Sequence, residues 1–180
     1  QPPAIAALPF VSAGLGLTME VAGELPTDIL QTLFFGLDPF LVIRKFERFA
    51  RLDPASEKAR EFIELEDWLN DGVPLVSKVA RECLDGWYVA NTPARRRWRI
   101  AGRAVDPTKL DLPSLVVVPA KDRIVPPDSA LALGTLIPGA DMLRPPQGHI
   151  AMTVGAGCER DVWEPMAAWL EGSEIPSKSI

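Results

Sequence analysis

Two stretches decide the reading: Leu115-Val116-Val117-Val118-Pro119-Ala120-Lys121-Asp122-Arg123-Ile124-Val125-Pro126, and Asp141-Met142-Leu143-Arg144-Pro145-Pro146-Gln147-Gly148-His149-Ile150-Ala151. The first begins as a continuous β-branched run, the pattern expected of a strand buried on both faces of a parallel sheet. Pro126-Pro127-Asp128-Ser129 then caps a helix predicted over 129–136, and 141–144 reads as a second, short strand. The order is therefore strand, loop, helix, strand, loop. Each strand is followed by a residue able to do chemistry, Asp122 after the first and His149, the chain's only histidine, after the second. In open α/β sheets the carboxyl ends of the strands are where ligands and catalytic groups collect.

A carboxylate at Asp122 can accept a hydrogen bond from an imidazole Nδ1–H. That fixes the tautomer and stabilises the imidazolium formed when Nε2 takes a proton. Histidine is the natural general base near neutral pH, and Gly148 leaves the backbone room to aim the ring. The bland alternatives are an aspartate that bonds loop amides beside Pro126 and a loop histidine bonded to a carbonyl. Their pairing favours chemistry, because an acid and then a histidine after successive strands is the order of an α/β-hydrolase. The nucleophile of that fold sits upstream, on a Gly-x-(Ser/Cys)-x-Gly elbow, and no elbow precedes Asp122. Cys83 reads as core packing inside an amphipathic helix. Cys158 lies after the histidine and has no glycine two residues on. Ser12 has Phe10 where the elbow needs glycine. The chain is therefore expected to start partway through a longer protein, or after processing.

Composition sets the class. With 180 residues, 47% apolar and 24% charged, the chain suits one globular domain. A net charge of -5 and a pI near 5.0 argue against nucleic acid or an anionic membrane surface as partner. No apolar run is long enough to span a bilayer. Cys83 and Cys158 match no metal-ligand spacing and fit reduced, cytoplasmic thiols. No metal and no cofactor are expected. Arg95-Arg96-Arg97-Trp98-Arg99 reads as a solvated basic loop rather than an anion site.

Residues 1–25 give no clean period and read as a remnant of upstream core or loop. Helical periodicity follows. Thr27 caps the first helix, Pro39 opens the second, Ser56 begins a third that Asn70-Asp71-Gly72 ends, and Pro74 starts a fourth running through Cys83 to Tyr88. Together, 26–93 reads as a helical cap or lid inserted ahead of the acid strand. Residues 100–112 read as a linker inside a C-terminal core spanning 94–170, which ends in an amphipathic helix over 159–170, and 171–180 is a polar tail. The tryptophans read as packing, and only Trp68 and Trp87 are also placed to line a substrate pocket.

The runs Leu65-Glu66-Asp67-Trp68-Leu69-Asn70-Asp71-Gly72-Val73-Pro74, Trp87-Tyr88-Val89-Ala90-Asn91 and Ala101-Gly102-Arg103-Ala104-Val105-Asp106 resemble the C-terminal half of polyhydroxyalkanoate synthases. The resemblance continues through Leu112-Pro113, Asp122-Arg123-Ile124-Val125-Pro126 and Gly148-His149-Ile150-Ala151. It implies an α/β-hydrolase fold and a Cys-His-Asp triad in which Asp122 is the acid and His149 the base. It also implies acyl transfer from a 3-hydroxyacyl coenzyme A thioester to a growing polyester chain, possible homodimerisation, and a cysteine with no counterpart here. Met152 and Gly155-Ala156 depart from the family pattern beside the site. The segment alone is expected to be inactive. Two rivals stand beside this reading: an esterase or depolymerase with a serine nucleophile, and a non-catalytic chain that works by association.

Overall fold

A helix over 14–22 (α1) opens the part of the molecule that the computed structural model describes, residues 14–36 and 39–172. The chain divides into two compact units, Gln1–Ala104 and Val105–Ile180. The architecture is mainly helical, with three two-stranded sheets among the described residues, and is compatible with part of an α/β fold.

In the first unit, Gly23 adopts φ 74°, a left-handed turn that ends α1 and starts β1 (Glu24–Leu25). Strand β1 pairs antiparallel with β2 (Leu75–Val76), and Ser77 closes the junction by donating from its hydroxyl to the Met19 carbonyl, 2.9 Å. Met19, Leu25, Ala80 and Leu84 form the buried core, with Leu15, Ile29, Leu30 and Leu75 packed around it. Helix α2 (Thr27–Phe35) is followed by α3 (Pro39–Phe49) and α4 (Glu57–Asn70). Phe62 of α4 stacks on Phe49 at 4.5 Å and meets Phe46 edge-on at 5.6 Å, and Lys45 pairs with Glu66. Helix α5 (Ser77–Arg81) runs into a π-helical stretch over Glu82–Val89. Strands β3 (Arg99–Ile100) and β4 (Arg103–Ala104) form a hairpin whose turn residues Ala101 and Gly102 both have positive φ, 48° and 77°.

Several sequence expectations are corrected here. Residues 14–22, expected as loop or strand remnant, are helical; Ser12 and residues 1–13 lie outside the described part, as do 173–180 of the expected tail. Ser56 does cap α4, accepting from the Ala59 amide at 3.2 Å. Thr27 does not cap α2: its hydroxyl donates to the Gly72 carbonyl instead. Pro74 precedes strand β2 rather than a helix, because 75–76 pair with 24–25 before the helical turns begin. The expected linker 100–112 contains all of a hairpin but its first residue and a 3₁₀ turn at Pro107–Lys109, capped by Asp106. Trp68 is 61% exposed and Trp163 52%, so neither is core.

In the second unit, β5 (Leu115–Val117) and β6 (Asp141–Leu143) pair in parallel, with Leu115 opposite Asp141 and Val117 opposite Leu143. Helix α6 (Pro127–Leu136) connects them and lies against β5. Gly134 lets α6 come close to β6, since a Cβ there would meet the Met142 methyl at 2.8 Å. Residues 115–117 are half-buried and Val118 is buried, so the valine run is covered less completely than expected. After α7 (Ala151–Val154), the π-helical turn Glu159–Trp163 and α8 (Glu164–Leu170) close the unit, and Trp169 donates to Asp141 at 2.8 Å.

Candidate active site

The parallel ladder does not stop where the strands do. Val118 donates to the Leu143 carbonyl at 2.8 Å, Ala120 to Pro145 at 2.9 Å and Lys121 to Gln147 at 3.0 Å. These bonds lay the loop after β5 beside the loop after β6. Gly148 is needed at the narrowest point, because a Cβ there would stand 3.2 Å from the Lys121 carbonyl oxygen. The next residues on each side are the two that the sequence singled out.

Asp122 and His149, 27 residues apart in the chain, meet with His149 Nδ1 2.8 Å from Asp122 Oδ2. The Asp122 side chain is 2% exposed and that of His149 34%. The second carboxylate oxygen, Oδ1, accepts from the Ile124 and Val125 amides, both at 2.8 Å. Asp122 is thus also the loop-bonding aspartate of the bland reading, and the amide bonds are what aim its other oxygen at the ring. An ionised carboxylate has no hydrogen to give, so the hydrogen of the shared bond belongs to Nδ1, and Nε2 is left as an acceptor. Among the described residues nothing bonds Nε2. The pair can therefore take up a proton at Nε2 and hold the resulting imidazolium against a fixed negative charge.

Burial alone would push the Asp122 carboxyl up; its hydrogen bonds with His149, Val125 and Ile124, and the ring's charge, outweigh burial and hold it below the ordinary 3.8. A carboxyl depressed in the folded state stabilises that state fully above its unfolded value. The contribution is lost as pH falls through the folded value. Stability is therefore expected to keep the Asp122 contribution at neutral pH and to lose it only below about pH 4. Urea melts of the parent and of Asp122→Asn check this, the difference between them shrinking as the pH drops. Parallel curves throughout would contradict it.

Burial, then the Glu82 carboxylate, push the Cys83 thiol up, which lowers its thiolate fraction. Cys158 is buried at 7% exposure. Among the described residues no three His, Cys, Asp or Glu side chains gather as a metal site, and no helix is long and apolar enough to cross a membrane. Sequence reading passed over Gln147, Arg160 and Asp161, of which the first two donate to the buried Asp161 carboxylate. A buried aspartate inside a helical segment carries no periodic signal.

A buried carboxylate aimed at a one-third-exposed imidazole, at the carboxyl ends of adjacent parallel strands, is an arrangement able to do general acid–base chemistry. The comparisons name a particular group. The chain is 25% identical over 153 residues to the poly(3-hydroxyalkanoate) polymerase subunit PhaC of Haloferax mediterranei, covering 83% of this chain and 31% of the relative. It is 29% identical over 160 residues to the subunit of the same name from Synechocystis (87% and 42%), and 26% over 159 residues to that of Allochromatium vinosum (87% and 45%). Over more than four-fifths of its length the chain is similar to polyhydroxyalkanoate polymerase subunits, as the resemblance in its sequence implied. It spans less than half the length of these curated relatives. No family model and no solved structure matches.

Proposed function

We propose that this chain contributes the acid and the base of a Cys-His-Asp triad to a polyhydroxyalkanoate synthase-like acyltransferase of α/β-hydrolase fold. In this reading residues 26–93 form a helical cap, and the cysteine comes from the length of the relatives that the chain does not span. The 2.8 Å Asp122–His149 contact, in a chain related to polymerase subunits, is the observation that carries it. His149 Nε2 takes the thiol proton, and the thiolate attacks the carbonyl carbon of a 3-hydroxyacyl coenzyme A thioester. The bond to the coenzyme A sulfur breaks, and that sulfur leaves with the proton held on Nε2. His149 then takes the proton of the acceptor chain's hydroxyl, whose oxygen attacks the acyl-enzyme. An ester bond forms, and the enzyme thiolate departs and recovers the proton. Asp122 stays ionised throughout and balances the imidazolium.

The test joins this chain to the remaining length of a polymerase subunit and supplies 3-hydroxybutyryl coenzyme A. Thiol release coupled to polymer growth is the expected result, with none from the 180 residues alone. Hydrolysis to free hydroxyacid without polymer would favour an esterase, and turnover by the isolated chain would overturn the assignment of the nucleophile.

A further inference from the structure

Asp161 is a buried charge that the proposed chemistry does not use. Its side chain is 2% exposed, while that of its neighbour Arg160 is 72% exposed. Arg160 donates from Nη2 to Asp161 Oδ2 at 2.7 Å and from Nε to Oδ1 at 3.0 Å, and Gln147 Nε2 donates to Oδ2 at 2.9 Å. A carboxylate so far from water is costly unless its lone pairs are occupied, and here they are. Because a carboxylate can only accept, the Gln147 amide must turn its NH₂ towards Asp161. Its oxygen is buried and accepts no hydrogen bond among the described residues. The orientation of Gln147 is therefore held by Asp161. Gly157, at φ 81°, leaves the space: a Cβ there would stand 3.3 Å from both Arg160 Nη2 and Asp161 Oδ2.

Gln147 is also the last rung of the ladder, its carbonyl accepting from Lys121, the residue before Asp122. It is thus fastened by its backbone to the acid loop and by its side chain to Asp161. Only Gly148 lies between it and His149, and a glycine offers little restraint of its own. We propose that Gln147 and Asp161 are positioning residues, which fix the loop carrying His149 so that Nδ1 reaches Asp122 and Nε2 faces outward. Their role in acyl transfer rests on His149 acting as the base.

The chain has one histidine, so ¹⁵N-labelled histidine gives one pair of ring signals, which at alkaline pH report how the hydrogen divides between Nδ1 and Nε2. Gln147→Glu sets carboxylate against carboxylate and is expected to lower the Nδ1–H to Nε2–H ratio at least about twofold, as for residues sharing one network. Gln147→Met, which removes the donor without adding charge, should lower it likewise. Combining Gln147→Glu with Asp161→Asn exchanges donor and acceptor between the two side chains, with the exposed Arg160 guanidinium turning from the new amide nitrogen to the new carboxylate, and should return the ratio to that of the parent. An unchanged ratio in Gln147→Met, or a double variant that stays as low as Gln147→Met, overturns the proposal; this comparison holds even if Gln147→Glu alone does not fold. The readout is the ring and not turnover. A responsive ring without polymer formation sinks the acyltransferase reading alone, and polymer formation with an indifferent ring sinks only the positioning role.

Discussion

Replacing His149 with alanine in the joined protein is expected to lower coenzyme A release by about 10²–10⁴-fold. The fold should survive, since the ring is one-third exposed and Asp122 keeps its bonds to the Ile124 and Val125 amides. Asp122→Asn is the more instructive change. Two backbone amides point at one side of the side chain and the imidazole at the other, so a carboxylate can satisfy all three. A carboxamide cannot. With its oxygen on the amides, its NH₂ faces Nδ1, which must then accept, and the ring hydrogen moves to Nε2, where it blocks proton uptake. A loss on the order of 10⁴-fold follows from the wrong tautomer. Steady-state release of thiol, with circular dichroism to verify folding, decides the matter, and unchanged turnover in either variant would remove the pair from the chemistry.

Leu25→Ala should unfold the first unit. Met19, Leu25 and Ala80 are fully buried and Leu84 nearly so, and few other side chains share that core. Truncating a buried leucine costs about 2–5 kcal/mol, comparable with the whole stability of a small domain. Partly exposed neighbours such as Leu75 and Ile29 offer little that could collapse into the gap. The expected result is loss of the cooperative melt followed by the emission of Trp87 and Trp98, which meet edge-on at 5.0 Å. A melting temperature within a few degrees of the parent would show that the core lies elsewhere.

The sequence made the site more legible than the frame around it. The valine run, the turn residues ahead of α6 and the Gly148-His149 pair each carry a local signal, and two helices open with plain start signals, Pro39 at the first position of one and Ser56 capping the other. Strand β2 was illegible because two residues have no period, and what makes them a strand is their partner 50 residues earlier, Leu25. The π-helical turns escaped a reading based on 3.6 residues per turn. The hairpin at 99–104 was hidden because alanine, not asparagine or glycine, occupies its first positive-φ position. Asp161 was invisible for another reason: its burial depends on Gln147 and Arg160, and no single stretch of sequence shows a three-body arrangement.

The ladder that runs from Val118–Leu143 to Lys121–Gln147 gives loop length a meaning of its own. Each extra residue in an extended segment advances the chain by about 3.3 Å and turns the next side chain to the opposite face. One residue inserted between Val118 and Asp122, or between Leu143 and His149, would therefore carry carboxylate or imidazole out of reach of its partner without removing either side chain. Among relatives that share this pair, those two intervals should tolerate exchange of one residue for another far better than any change in their number.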